Sequence, residues 1–329
     1  MVSATGELAL ARPAAPSLWL RVKAAVRRSD AARAFTLLSP TLLVMVGMLI
    51  LPMIALVVIS FWTQVYFDLD RTFTLKNYWT IIKPTGDFFL WGFLPLPRLE
   101  TPIYVVLLAK SVMMSLVATT VIILMAYPMA YFLAFRVTSH KMLWIILITV
   151  PFWTSYLLRV FAWKIILGYN GVINSGLISL GLIEEPLQFL LYNPTSVIIT
   201  LTHAWLAFAI LPIYVSLEKI DRSLLEAATD LGDGPMQRFF RVTLPLSLPG
   251  TISSSLLVFI PTVGDYVTPT LVGGTSGIMI GNVIQTLFGK ANNAPLGAAV
   301  SLTMMLTVTL MVCVFIWMTG YQRMRKRET

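Results

Sequence analysis

Cysteine, histidine and charge are all scarce in this chain, and each scarcity closes off a class of function. Cys313 is the single cysteine among 329 residues and lies inside an apolar run, so an intrachain disulfide and a cysteine metal cluster are excluded. The two histidines, His140 and His203, stand too far apart for the short ligand spacing of a zinc site. No Gly-x4-Gly-Lys-Ser/Thr run occurs anywhere, so the chain does not hydrolyse nucleotide through a P-loop. A membrane-embedded enzyme would want paired carboxylates, or histidine with a nucleophile, at membrane depth, and the apolar segments hold neither. Charged residues make up only 12% of the chain against 57% hydrophobic, and the mean hydropathy is +0.81. A soluble domain of this composition could not cover its own surface. What is left is a polytopic membrane protein.

Six apolar segments reach the roughly 20 residues needed to cross a bilayer: Phe35–Trp62, 103–135, 142–168, 195–217, 246–272 and 296–319. The first is too long for the apolar region of a secretory signal and lacks a small-x-small cleavage site, so it reads as an anchor. Six spans put both termini on one side. The loops of that side, 1–33, 136–141, 218–243 and 320–329, carry 16 Lys and Arg against 5 in the opposite loops. The positive-inside bias makes it the cytoplasm, and it accounts for the net charge of +9 without nucleic acid. The expected organisation is a basic arm at 1–33, a six-helix domain at 34–322 and a basic tail at 323–329. Aromatics in the outer loop at 63–102, among them Tyr66, Phe67, Tyr78, Trp79, Phe88 and Trp91, predict short helices at the membrane interface. The glycine-rich outer stretch from Gly273 to Asn282 is expected to re-enter the outer face or line a vestibule.

The polar insert at 218–245 has a different character. Leu224, Ala228 and Leu231 fall at i, i+4 and i+7 on one helical face, while Asp221, Glu226 and Asp230 keep the rest polar. Ala227 and Ala228 let another surface approach the backbone. Gly232 stands where a left-handed helix stop wants glycine, and Gly234 or Asp233 can cap a second helix opened by Pro235. A polar helix pair with one small-residue face predicts a docking element.

Glu226-Ala227-Ala228, Gly232 three residues on, and Leu244-Pro245, with Val242 in the isoleucine position, resemble the cytoplasmic loop signature of binding-protein-dependent ABC importer permeases. The resemblance implies an all-α, type I importer permease fold of six transmembrane helices with a cytoplasmic coupling helix. It makes Glu226, Ala227, Ala228, Asp230, Leu231, Gly232, Leu244 and Pro245 the residues that seat in a cleft of a partner ATPase subunit. ATP and Mg are then bound by that partner, and this chain holds no cofactor of its own.

Within the spans, Asp265 is the sharpest polar residue. A carboxylate near the middle of a helix costs roughly 2.5–3.5 kcal/mol on insertion scales, so it faces a cavity or a partner. Pro261, Gly264 and Pro269 around it can interrupt the helix, and with Tyr266 it makes a sensible lining for an organic cation. Two alternatives stand beside that role: a place at the outer interface, or a pairing with an Arg or Lys. Arg159 is deep enough to need a partner, which is either Asp265 or an anionic group on the substrate. Lys110 and Lys164 lie near the outer ends of their spans, where they can snorkel.

Val150-Pro151-Phe152-Trp153-Thr154-Ser155 with Leu158-Arg159, Leu217 to Asp221, and Ile260-Pro261-Thr262-Val263-Gly264-Asp265-Tyr266-Val267 also resemble the permeases of spermidine/putrescine-type importers, over roughly residues 35–322. This implies a bacterial inner-membrane permease paired with a homologous second permease, an ATPase dimer and an extracytoplasmic binding protein. It adds Trp153, Arg159 and Tyr266 to Asp265 as pathway candidates. Permeases of this kind also carry opines and amino-acid derivatives, which remain alternative substrates. A carrier working alone is the rival class, and the chain lacks the evident inverted repeats on which many carriers are built.

Overall fold

The computed structural model describes residues 30–91 and 94–325. Most of the basic arm, residues 1–29, and the last four residues of the basic tail lie outside the described residues. The chain's contacts fall into two compact units, Met1–Leu56 and Val57–Thr329. The first unit contains most of α1 (Asp30–Ser60), an apolar helix with Pro40 and Pro52 inside it.

The second unit begins with an outer segment that departs from expectation. Only α2 (Lys76–Ile82) is helical there, and it carries Tyr78 and Trp79. The rest forms two antiparallel hairpins, β1 (Thr63–Val65) with β2 (Asp68–Asp70) and β3 (Pro84–Trp91) with β4 (Leu94–Leu99). Pro95 and Pro97 deny β4 the donors a helix needs, and a two-stranded edge tolerates them. Tyr66 in the left-handed region closes the first hairpin. Asn77 donates to the carbonyls of Ser60 and Trp62 at 2.8 and 2.7 Å, fixing α2 against the end of α1.

The core is built by α3 (Ile103–Phe135), α7 (Pro194–Glu218) and α10 (Leu244–Val263). Ala126, Ala130 and Ala134 of α3 and Ala209 of α7 are buried beside Ile122, Ile210, Ile213 and Val258. Small side chains let the backbones come close, which supports helix packing where lipid supplies no hydrophobic drive. Polar contacts add register: Tyr127 and Ser247 meet at 2.6 Å, and Ser254 donates to the Ala209 carbonyl at 2.9 Å.

The third predicted span is not one helix. It consists of α4 (Lys141–Thr149), a 3-10 turn (Val150–Trp153) and α5 (Tyr156–Ile166), bent by 85°. Thr154 and Ser155 are extended between the halves, and Pro151 lacks the N–H that would carry the helix through. Among the described residues, five helices are therefore long and apolar enough to cross a membrane alone, and a sixth span exists if the bent pair counts as one. After the small α6 (Val172–Ser179), a capping box of Asn193 and Ser196 opens α7. The chain then passes through α8 (Arg222–Asp230) and α9 (Pro235–Arg238) into α10, and finishes with α11 (Ile280–Phe288) and α12 (Ala294–Arg325).

Candidate functional site

Two places gather the sequence candidates. At the first, Asp221 caps α8 by accepting from the Ser223 N–H at 3.0 Å, and that backbone bond holds its carboxyl below the usual carboxylate range. Gly232 has φ +89°, so the expected left-handed stop is present. The Gln237 side chain accepts from the Gly234 N–H at 3.1 Å and starts α9. Arg241 pairs with Asp233 at 2.7 Å and Arg238 donates to Thr229 at 2.8 Å, locking the turn. The predicted apolar face divides: of its three residues only Ala228 is buried, with Leu225 beside it against the core, whereas Leu224 is 48% and Leu231 87% exposed. Leu231 closes the helix as its cap, so it points away from the stripe that spacing assigns to it. Glu226, Ala227 and Asp230 are exposed, which leaves an acidic, small-residue surface facing outward. Leu244 is half-buried against the core and Pro245 is exposed in the first turn of α10.

At the second place, two helix breaks meet. α10 stops at Val263; Gly264, Asp265 and Tyr266 are not helical, and helix resumes at Val267 before a π turn at Pro269–Gly273. Gly264 has no β-carbon to favour helix. Pro269 lacks the N–H that would bond the Asp265 carbonyl in a continuous helix. Asp265 caps the resumed segment, its Oδ1 accepting from the Val267 N–H at 2.9 Å. Its Oδ2 accepts from the Tyr156 hydroxyl at 2.5 Å, and the same hydroxyl lies 2.7 Å from Thr268 Oγ1. Tyr156 is the first residue after the break between α4 and α5, so one hydrogen bond joins the two interruptions. Asn282 of α11 donates to the Tyr266 carbonyl at 3.0 Å and to Thr270 Oγ1 at 2.7 Å. A β-carbon on Gly281 would lie 2.7 Å from the Gly264 carbonyl oxygen and 2.9 Å from that of Asp265.

The pairing of Asp265 with Arg159 is corrected by this geometry. Arg159 forms no ion pair among the described residues; its Nη1 donates to the Ala204 carbonyl at 3.0 Å, and its guanidinium lies over Phe152 at 4.7 Å and Tyr156 at 5.8 Å. The Tyr156 hydroxyl holds the carboxylate instead. Arg159 Nε is buried without a hydrogen-bond partner among the described residues. Trp153 is 88% exposed at the end of the 3-10 turn, and Tyr266 is exposed beside Asp265. Lys110, expected to snorkel, donates to the Ser276 carbonyl in the glycine-rich stretch. Tyr156, Thr268 and Asn282 have no role in the sequence-based site. A tyrosine in an apolar segment reads as filler, and its bond reaches 109 residues along the chain.

Non-helical backbone at membrane depth must be buried in protein or line water, because lipid satisfies no N–H or C=O.

Residues 40–327 match the family described as binding-protein-dependent transport system inner membrane component. The chain belongs to that family. It is 40% identical to the spermidine/putrescine transport system permease protein PotB of Escherichia coli K12 over 218 residues, 66% of this chain and 79% of that protein. The protein of the same name from Haemophilus influenzae is 39% identical, with 66% and 76% covered. A chain of a bacterial ABC transporter involved in the import of the acidic polysaccharide alginate shares the fold, with a TM-score of 0.62 at 17% identity, covering 92% of this chain and 99% of that one. The family therefore has the all-α, polytopic architecture of type I ABC importer permeases in this chain also, and its members are transport components of the inner membrane.

Proposed function

We propose that this chain is one permease half of an ATP-driven importer for polyamines, spermidine and putrescine among them. Its identity with the PotB permeases over most of their length carries this reading. Asp265 supports it, since a carboxylate between two helix breaks suits a protonated amine better than a neutral or acidic solute. Tyr266 and Trp153 add exposed aromatic faces on which a cation can rest. A homologous second permease completes the pathway, and an ATPase dimer binds and hydrolyses ATP with Mg. That dimer seats on Glu226, Ala227, Ala228, Asp230, Leu231 and Gly232, with Leu244 and Pro245 carrying the motion into α10. An extracytoplasmic protein delivers the substrate. Lipid surrounds the apolar spans, nucleic acid is no partner, and both termini are cytoplasmic, a placement that the Lys and Arg distribution supports.

A second reading rests on Arg159. Its unpartnered Nε favours a substrate that carries a carboxylate beside its amine, such as an opine or another amino-acid derivative. Uptake of labelled putrescine and spermidine into vesicles holding the full complex separates the two. Saturable, ATP-dependent entry of either amine supports the polyamine assignment. Entry of amino-acid derivatives alone transfers the assignment to the second reading.

A further inference from the structure

We propose that the Tyr156 hydroxyl is an internal stand-in for the substrate's ammonium group, and that Tyr156 is therefore a specificity-determining residue of the pathway. The inference rests on the reading of Asp265 as a cation contact and says what guards that contact. Both carboxylate oxygens of Asp265 are engaged. Oδ1 accepts backbone N–H bonds at 2.9 and 3.5 Å, from Val267 and Thr268, and Oδ2 accepts the Tyr156 hydroxyl at 2.5 Å. The first pair belongs to the fold, since it starts the helical segment after the break. The tyrosine bond does not belong to any helix. It crosses from α5 to the end of α10, and the same hydroxyl has a second partner in Thr268 Oγ1 at 2.7 Å. Tyr156 can thus leave the carboxylate and keep one hydrogen bond, whereas Asp265 cannot leave Val267 without undoing the break.

An arriving cation must replace what Tyr156 supplies, a hydrogen-bond donor aimed at Oδ2. A primary ammonium has three N–H donors and a full charge, so it makes a charge-assisted bond that outcompetes a phenol. A quaternary ammonium has charge but no donor, so it pays for displacing the hydroxyl with nothing equivalent. A neutral solute has no Coulombic advantage over tyrosine at all. Tyr156 in this way filters for N–H-bearing cations, and the resting carboxylate is never left bare at membrane depth, where an unpaired charge is costly. The Arg159 guanidinium lies 5.8 Å from the Tyr156 ring centre and the Trp205 ring 6.4 Å from it, and these neighbours hold the tyrosine's position when the contact is closed.

The test is equilibrium binding of three labelled probes, putrescine, ethylammonium and tetramethylammonium, to the purified permease–ATPase complex without the binding protein. Wild type is compared with Tyr156→Phe, Asp265→Asn and the double variant, with basal ATPase activity as the check on assembly. Tyr156→Phe is expected to bind the two primary amines about five- to tenfold more tightly than wild type, as loss of a competing hydrogen bond predicts. It should also bind tetramethylammonium where wild type does not. Asp265→Asn should abolish binding, and adding Tyr156→Phe to it should change nothing, since a tyrosine acting through the carboxylate has no effect without one. Unchanged or weaker amine binding in Tyr156→Phe overturns the proposal, as does a Tyr156→Phe effect that survives in the Asp265→Asn background. So does failure of both wild type and Tyr156→Phe to bind any amine. If ethylammonium follows the expected pattern while putrescine and spermidine are neither bound nor transported, the polyamine assignment fails and the role of Tyr156 stands.

Discussion

At the scale of single residues, Asp265 does two jobs with its two oxygens, and the jobs can be separated. Asparagine keeps an oxygen for the Val267 N–H bond at 2.9 Å, so the break should still fold. The full negative charge is lost, and with it the attraction for an amine. Asp265→Asn is expected to change stability by less than about 1 kcal/mol and to lower polyamine uptake by more than about tenfold. Thermal unfolding of the purified complex beside vesicle uptake checks both parts, and equal losses in the two would show a structural role only. Gly281 tests the same break from the opposite side. A valine there would press on the Gly264 and Asp265 carbonyls, each closer than 3.0 Å to the new β-carbon. Backbone cannot step aside as a flexible side chain can, so Gly281→Val should cost about 1–3 kcal/mol and displace Asp265 from Tyr156. Uptake close to wild type at normal membrane abundance would show that the approach of α11 has no bearing on the site.

At the scale of elements, the loop of α8 and α9 was the most legible part of the chain. Stop and restart are local chemistry: Gly232 with φ +89° and Gly234-Pro235 each act within a few residues of sequence, whereas Asp221, read only as a polar surface residue, is the cap of α8. A β-branched side chain at a left-handed position is strained by about 1–2 kcal/mol, so Gly232→Val should distort the turn. Glu226→Lys leaves the backbone alone and inverts a charge on the exposed face. Both variants should reach the membrane, and both should recover less ATPase subunit on affinity purification, Glu226→Lys the more specifically. Full recovery with Glu226→Lys would remove that residue from the docking surface. The meeting of the two helix breaks was legible only in outline. Asp265 announced itself as a charge in an apolar run, and Gly264 and Pro269 as breakers. The 85° bend after Trp153 did not, because a proline inside an apolar segment is compatible with a straight, a kinked or a broken helix, and only tertiary packing chooses. Nor did the hairpins at 63–99, where interfacial aromatics fit strand and helix alike. Arg159 and Asp265 invited pairing by opposite charge, and a neutral hydroxyl supplied by Tyr156 took the place.

At the scale of the whole molecule, the proposed coupling role needs motion of the α8–α9 loop to reach the spans, and the second unit contains packed contacts for the first part of that route. Phe239, at the start of the π turn between α9 and α10, packs edge-on to Tyr127 of α3 at 5.7 Å and to Tyr131 at 6.2 Å between ring centres. Tyr127 in turn bonds Ser247 of α10 at 2.6 Å. The loop is therefore tied to α3 by an aromatic ring, a stiff element with few rotamers to absorb displacement. Alanine at 239 would leave the exposed face of α8 unchanged, so assembly with an ATPase should persist. The ring's contacts would be lost, at a cost of about 2–3 kcal/mol for a half-buried aromatic, and loop movement would be taken up by the resulting slack. The expected signature is a changed ratio: ATP hydrolysis continues near its wild-type rate while amine uptake falls several-fold, so more ATP is consumed per molecule imported. Hydrolysis and uptake measured in the same vesicle preparation decide the matter. Proportional loss of the two would mean that the Phe239→Ala complex simply assembles less well, and the route from loop to core would have to run elsewhere, with Ile220, Leu225 and Leu244 among the other contacts between this insert and the core.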